Sequence, residues 1–183
     1  MSIEKKLTDK DVRIIYLPPM TIASIHLVGN PPIENKTAEE RTAEYINNYI
    51  RENNLAKIKP DFRHFGFNNP DDIPDDNPKH GYERWVSIPE NMPVKEPFIE
   101  KAFSGGIFAA HMIPWGLWDE GWLPLHSWMV DSSYEMEVGD SAFGGTCGWL
   151  EEHLNYINLY DSYTRGDTTL QLDLLMKVKK KEG

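Results

Sequence analysis

The order strand, helix, strand, strand can be read twice along this chain, and that repetition limits how it can fold. In the first half, Val12 to Leu17 is a β-rich run, Pro18-Pro19 interrupts it, and Met20 to Val28 resumes it with Ile22, Ile25 and Leu27. Adjacent prolines donate no ladder hydrogen bonds, so the pattern predicts an edge strand broken by a bulge where no partner needs satisfying. Thr37-Ala38-Glu39-Glu40 has the capping-box pattern, in which threonine hydroxyl and glutamate carboxylate each bond the other's backbone amide. A helix therefore starts there. Ala43, Ile46, Tyr49 and Ile50 give it one apolar stripe, ending near Asn53-Asn54. Asp61 to Phe67 reads as a strand, Asn68 to Gly81 as a polar loop, and Tyr82 to Ile88 as a further strand.

The second half offers strands at Phe98 to Phe103 and Ile107 to Met112, a helical segment at Leu117 to Val130, and strands at Gly148 to Asn155 and Thr168 to Val178. The expected fold is one α+β domain over 1–183. Its two βαββ repeats, 11–92 and 93–179, join in one antiparallel sheet, with helices on one face and a concave ligand cleft on the other. Residues 180–183 are read as the end of a solubilising basic run that begins at Lys177.

Composition narrows the partners. Lysine and arginine total 19 against 29 aspartates and glutamates, a net charge of -10, which argues against nucleic-acid binding. No apolar stretch is long enough for a membrane span, the first residues lack the apolar core of a secretory signal, and the lone Cys147 suits a reducing compartment, so a cytoplasmic location is expected. The six histidines are scattered without HExxH or cysteine partners, the Asp71 to Asp76 loop lacks calcium-loop spacing, and Gly105-Gly106 lacks a phosphate-loop context. No metal or cofactor is expected.

The residues with chemistry to offer are aromatic and acidic. Trp115, Trp118, Trp122 and Trp128 crowd one segment in which Pro124 either kinks the helix or marks its start. Both readings stay open, as does the choice between core and pocket wall for the rings. In Trp149-Leu150-Glu151-Glu152-His153-Leu154, strand alternation puts Trp149, Glu151 and His153 on one face and Glu152 on the other. Likewise Glu83, Trp85 and Ser87 oppose Tyr82, Arg84, Val86 and Ile88. If Leu150 and Leu154 face the helices, Glu151 enters the concave side beside Trp149; an edge strand with solvated glutamates and a helix through Glu151 are the alternative readings. Symmetry of the repeats would then bring the Glu83/Trp85 face to the same cleft.

The phrases Phe65-Gly66-Phe67-Asn68-Asn69-Pro70, Gly81-Tyr82-Glu83-Arg84-Trp85-Val86-Ser87-Ile88-Pro89 and Trp149-Leu150-Glu151-Glu152-His153-Leu154-Asn155 resemble the GyrI-like, effector-binding domain family, as does Val12 to Gly29. The resemblance covers 11–179. It implies two βαββ repeats and a site in which Glu151 receives cationic aromatic ligands between stacked rings. It also implies kinship with a branch that hydrolyses the cyclopropane of DNA-alkylating antibiotics, on the strength of Trp85. The expected function is binding of aromatic xenobiotics, whether cationic or not, with ring-opening hydrolysis in the same pocket as the rival reading, Glu151 then being catalytic. The ligand-binding candidates are Phe67, Glu83, Trp85, Trp115, Trp118, Trp122, Trp149 and Glu151. A third reading is a protein partner such as DNA gyrase, which the family's name suggests.

Overall fold

A computed structural model describes residues 6–29, 36–70, 73–74, 77–114, 116–117, 121–137, 148–154 and 171–182. Within them the order is β1 (Arg13–Leu17), β2 (Met20–Val28), α1 (Ala38–Glu52), α2 (Leu55–Ile58), β3 (His64–Asn68), β4 (Gly81–Ile88), β5 (Ile99–Phe103), β6 (Gly106–Pro114), α3 (Trp122–Asp131), β7 (Tyr134–Met136), β8 (Trp149–Leu154) and β9 (Gln171–Lys180). Eight strands pair in the order β1-β6-β9-β8-β3-β4-β2-β5, symmetric about the β8–β3 junction, and β7 adds to β9. Every ladder is antiparallel. This is the expected α+β architecture.

Pro18-Pro19 turns out to be a corner shared by two strands. β1 pairs with β6 as far as Leu17↔Gly106, and β2 begins its pairing with β5 at Met20↔Phe103. The two bent strands β1–β2 and β5–β6 therefore break together, at the prolines on one side and at Ser104-Gly105 on the other. Gly105 has φ +73°, and a Cβ there would lie 2.2 Å from the Leu17 carbonyl oxygen, so the corner demands glycine. Of the two segments only β1 is an edge strand; β2 is flanked by β4 and β5. Because the chain itself joins β1 at one end of the pairing order to β2 near the other, the sheet curls.

The concave side of that curl is filled. Leu17, Phe65, Trp85, Phe103, Phe108 and Leu150 are among the side chains forming one buried cluster drawn from both ends of the pairing order. The expected cleft on this side is thus occupied by the protein's own core, with Trp85 at 1% exposure.

Helices cover the opposite face. The Thr37–Glu40 capping box is present, with reciprocal bonds of 3.0 and 3.3 Å, and Ile46, Tyr49 and Ile50 of α1 pack on Ala23, Ile25, Val86 and Ile88. In the second half, Leu125, Trp128 and Met129 of α3 pack on Ala109, Ile113, Leu172, Leu174 and Met176. Pro124 is the third residue of α3, so the helix starts there and is not kinked. In the first turn a missing N–H leaves no carbonyl unsatisfied.

The C-terminal lysines are part of the sheet. β9 runs to Lys180, Lys177 is only 5% exposed, Lys179 pairs with Glu135 at 3.1 Å, and Lys181 donates to the Val130 and Ser132 carbonyls at 2.8 and 2.7 Å. Of the solubilising run expected from Lys177 onward, Lys177 is thus drawn inside, while Lys179, Lys180 and Lys181 are exposed. No helix among the described residues is long and apolar enough to cross a membrane.

Candidate functional site

Strand register decides which candidate residues meet. Gly66 of β3 stands opposite Arg84 of β4 on one side and Glu151 of β8 on the other, while Phe65 stands opposite Trp85 and Glu152. Cross-strand partners share a face. Glu151 therefore lies on the helix-covered face with Tyr82 and Arg84, and Trp85, Glu83 and Phe67 lie on the concave face with Glu152. The expected meeting of the Glu151 and Glu83/Trp85 faces in one cleft does not occur. Leu150 points into the concave cluster and not toward the helices, which reverses the premise from which that cleft was drawn.

On the concave face the candidates are structural. The indole of Trp85 meets Phe67 edge-on at 4.9 Å and donates from Nε1 to Glu83 at 2.5 Å. Glu83 also accepts from Ser24 at 2.6 Å, from Asn69 at 2.8 Å and from Lys101. Burial alone would push this carboxyl up, but donation from Lys101, Ser24 and Trp85 outweighs it and holds the group below the usual carboxylate range. Four donors from its own chain already saturate Glu83. Glu152, on the same face, is taken by Arg63 in a two-pronged contact of 2.6 and 2.5 Å.

On the helix face, Glu151 sits between the two helices. It is closely surrounded yet retains accessible surface, unlike Glu152 beside it. The Tyr82 hydroxyl donates to its Oε2 at 2.7 Å, and the Trp122 indole, at the start of α3, favours its ionised form. Trp122 stacks on Trp149 at 5.1 Å with a 21° interplanar angle, and the His126 ring lies 6.2 Å from Trp149. Both indoles are partly exposed. Burial pushes the Glu151 carboxyl above its ordinary value, against the pull of Tyr82, Arg84 and Trp122. Burial, followed by the charge of Glu151, pushes the Tyr82 phenol far up, so it stays protonated. A carboxylate short of solvent, a phenol that keeps its proton and a stacked indole pair can together hold a flat ring, or manage a proton at its edge.

Of the predicted site residues, the structure brings together Glu151, Trp122 and Trp149. Trp115 and Trp118 lie outside the described residues, as does Cys147. Tyr82, Arg84 and His126 were not among the sequence candidates. Alternation did place Tyr82 and Arg84 together, and the missing step was the register linking their strand to Glu151. Among the described residues no group of three or more histidine, cysteine, aspartate or glutamate side chains could hold a metal ion.

Gly66 makes the Tyr82 contact sterically possible. A Cβ at that position would lie 2.3 Å from the Tyr82 hydroxyl oxygen and 2.9 Å from its ring. Gly66→Ala is expected to push Tyr82 off Glu151 and cost about 1–3 kcal/mol of stability through overpacking. Urea unfolding and the ultraviolet titration of tyrosine read the two effects. An unshifted phenol titration would mean that the ring does not depend on the gap at Gly66.

Behind Tyr82, the Arg84 guanidinium lies 5.0 Å from the Tyr82 ring centroid and bonds His153 Nε2 at 2.9 Å and His64 Nε2 at 3.3 Å. The imidazoles stack at 4.2 Å. Both are held well below the ordinary histidine range, by burial first, then by the neighbouring His153 and Arg84 for His64 and by Arg84 for His153. An unfolded chain protonates each histidine as pH falls through about 6.5, and the fold does not. Their contribution is thus complete above that pH and is lost below it, by up to about 1.4 kcal/mol per pH unit for each ring. Glu151, Glu152 and Asp173, pushed up by burial, act in the opposite direction as pH falls. The comparison is therefore made with His153→Gln, whose amide oxygen can still accept from Arg84. Urea unfolding between pH 7 and 5.5 is expected to show a shallower loss of stability in this variant, and an unchanged slope would rule out a neutral His153.

The family model described as Cass2, integron-associated effector binding protein, matches residues 13–172. The chain belongs to this family. It is a GyrI-like family, so the resemblance read from the three sequence phrases holds. Two solved structures show how far the effector-binding fold extends. The C-terminal domain of EcmrR superposes with a TM-score of 0.61 at 10% identity, over 93% of this chain and 98% of that one. A hydrolase from Listeria innocua gives 0.59 at 12% identity, over 93% and 92%. At such identities the likeness is one of fold. No curated protein is similar enough to match the chain. Within the effector-binding family the chain falls in a class of small-molecule-binding domains.

Proposed function

We propose that this domain binds flat aromatic small molecules on the helix-covered face, against Glu151 and the Trp122–Trp149 pair. The observation that carries the reading is the Glu151 carboxylate on a partly exposed residue, held by a phenol donor beside a stacked aromatic wall. Membership of an effector-binding family supports it. An aromatic ligand lying along the indoles would exclude water from Glu151 and strengthen any hydrogen bond the ligand donates to it. The test is a tryptophan-fluorescence titration with 2-naphthol, a flat two-ring donor that is neutral at pH 7. Saturable quenching that is lost in Trp122→Leu and kept in Trp85→Ala supports the site, and the reverse pattern would move it to the concave face.

The second reading, hydrolysis of a strained ring, is favoured by one feature: a carboxyl raised by burial in contact with a phenol that keeps its proton. Glu151 would take a proton from a water attacking a cyclopropane carbon. The breaking carbon–carbon bond would send its electrons to a conjugated carbonyl oxygen, which takes the Tyr82 proton, and Glu151 would return its own proton to Tyr82. The balance is addition of one water. The shared fold of the Listeria innocua hydrolase is consistent with this reading. Incubation with a cyclopropane-bearing alkylator, followed by mass measurement, separates the readings: a product one water heavier, formed beyond one equivalent, means turnover, and stoichiometric capture means binding alone.

A further inference from the structure

Arg84 is a full charge buried to 3% exposure, close to the proposed site but with no place in the binding contacts just described. Its hydrogen bonds run to His64 Nε2 and His153 Nε2. Each ring offers a lone pair there, so each is neutral with its proton on Nδ1, and these partners bring no negative charge. The Nε of Arg84 has no acceptor among the described residues. Gly66 separates Arg84 from Glu151 in the sheet, and the Tyr82 ring bridges the gap. The ring lies 5.0 Å from the guanidinium, and its hydroxyl is 2.7 Å from the carboxylate. Among the described residues, a second charged group acting on Glu151 is Glu39 in the first turn of α1, whose carboxylate already engages His80 at 2.7 Å.

Resting on the aromatic-binding reading of this face, we infer that Arg84 is a built-in counter-cation for Glu151 and sets the specificity of the site toward uncharged aromatic donors. A positively charged ligand that reached Glu151 would come up against a fixed charge in a poorly screened interior. A neutral ring carrying an N–H or O–H satisfies the carboxylate without that repulsion, and its flat face is still held by Trp122 and Trp149. Arg84 is thus a specificity residue acting through Tyr82 and Glu151.

The experiment compares two flat two-ring probes, neutral 2-naphthol and the permanent cation N-methylquinolinium, by tryptophan quenching of the full chain. Wild type is expected to bind 2-naphthol at least as tightly as the cation. Arg84→Gln keeps an N–H donor for the histidines and removes the charge, and is expected to shift the ratio toward the cation by about tenfold or more. Arg84→Lys, which restores the charge, is expected to return the ratio toward wild type. A wild-type preference for the cation of about tenfold, or a ratio unmoved in folded Arg84→Gln, overturns the counter-cation role while leaving aromatic binding in place. If Arg84→Gln fails to fold, as judged by circular dichroism, the wild-type ratio alone decides. Absence of quenching by both probes in wild type would overturn the aromatic-binding reading and this inference with it.

Discussion

Trp85→Ala is expected to lower the unfolding free energy by about 3–5 kcal/mol, the usual range for removing a fully buried large aromatic, while leaving ligand quenching in place. The ring is 1% exposed, meets Phe67 at 4.9 Å and Phe103 at 5.9 Å, and sits in the cluster that fills the concave face. Its removal leaves a cavity where strands from both ends of the pairing order converge, so neighbours can close it only by moving the sheet. Glu83 loses the Trp85 donor but keeps Ser24, Asn69 and Lys101, so its charge remains compensated. Trp85→Phe separates the contributions: it retains most of the packing and gives up the hydrogen bond to a charged acceptor, for an expected loss of about 1.5–3 kcal/mol. Urea unfolding of the two variants checks the order. A Trp85→Ala protein of wild-type stability that no longer responded to ligand would return Trp85 to the binding site.

That expectation differs from the one the sequence suggests for Trp85, and the difference shows which parts of this fold are locally encoded. The start of α1 is legible because Thr37 and Glu40 cap each other across three residues, with no need of the rest of the chain. The opposite orientations of Glu151 and Glu152 are legible because a strand has a strict period of two. Which of those faces belongs to the core is not legible, because it depends on how β8 is set against β3, and a slip of one residue exchanges every side chain between faces. Repeat symmetry suggested that Trp149-x-Glu151 should match Glu83-x-Trp85. The Gly66 register instead aligns Glu151 with Arg84, and Phe65 aligns Trp85 with Glu152. The role of Pro124 needed tertiary context in the same way, since a proline in a helical pattern fits a first turn as well as a kink. The C-terminal lysines read as a solvated run by composition, yet Lys177 is drawn inside because β9 pairs with both β6 and β8.

Glu151→Gln is expected to weaken binding of a neutral aromatic donor by about 10- to 150-fold, which corresponds to the roughly 1.5–3 kcal/mol carried by a hydrogen bond to a charged group. If the domain is a ring-opening enzyme, the same change should reduce turnover by about 10²–10⁴-fold, the range for removing a positioned general base. The amide is nearly the same shape, and its oxygen can still accept from Tyr82, so the site is preserved while the charge and the proton acceptor are lost. Stability should fall too, because Arg84 loses the negative charge that answers it from across Gly66, and a buried charge stripped of its partner is destabilising. Binding must therefore be compared at a temperature where circular dichroism shows both proteins folded. The adjacent Glu152→Gln provides the contrast. That carboxylate is held by Arg63 on the concave face, so its loss should lower stability and leave affinity for the ligand unchanged. If both variants bind as wild type does, the helix face is not where the ligand goes, whatever the stability measurements show. If Glu151→Gln alone loses affinity, the two neighbouring glutamates, one residue apart and on opposite faces, divide binding and structure between them.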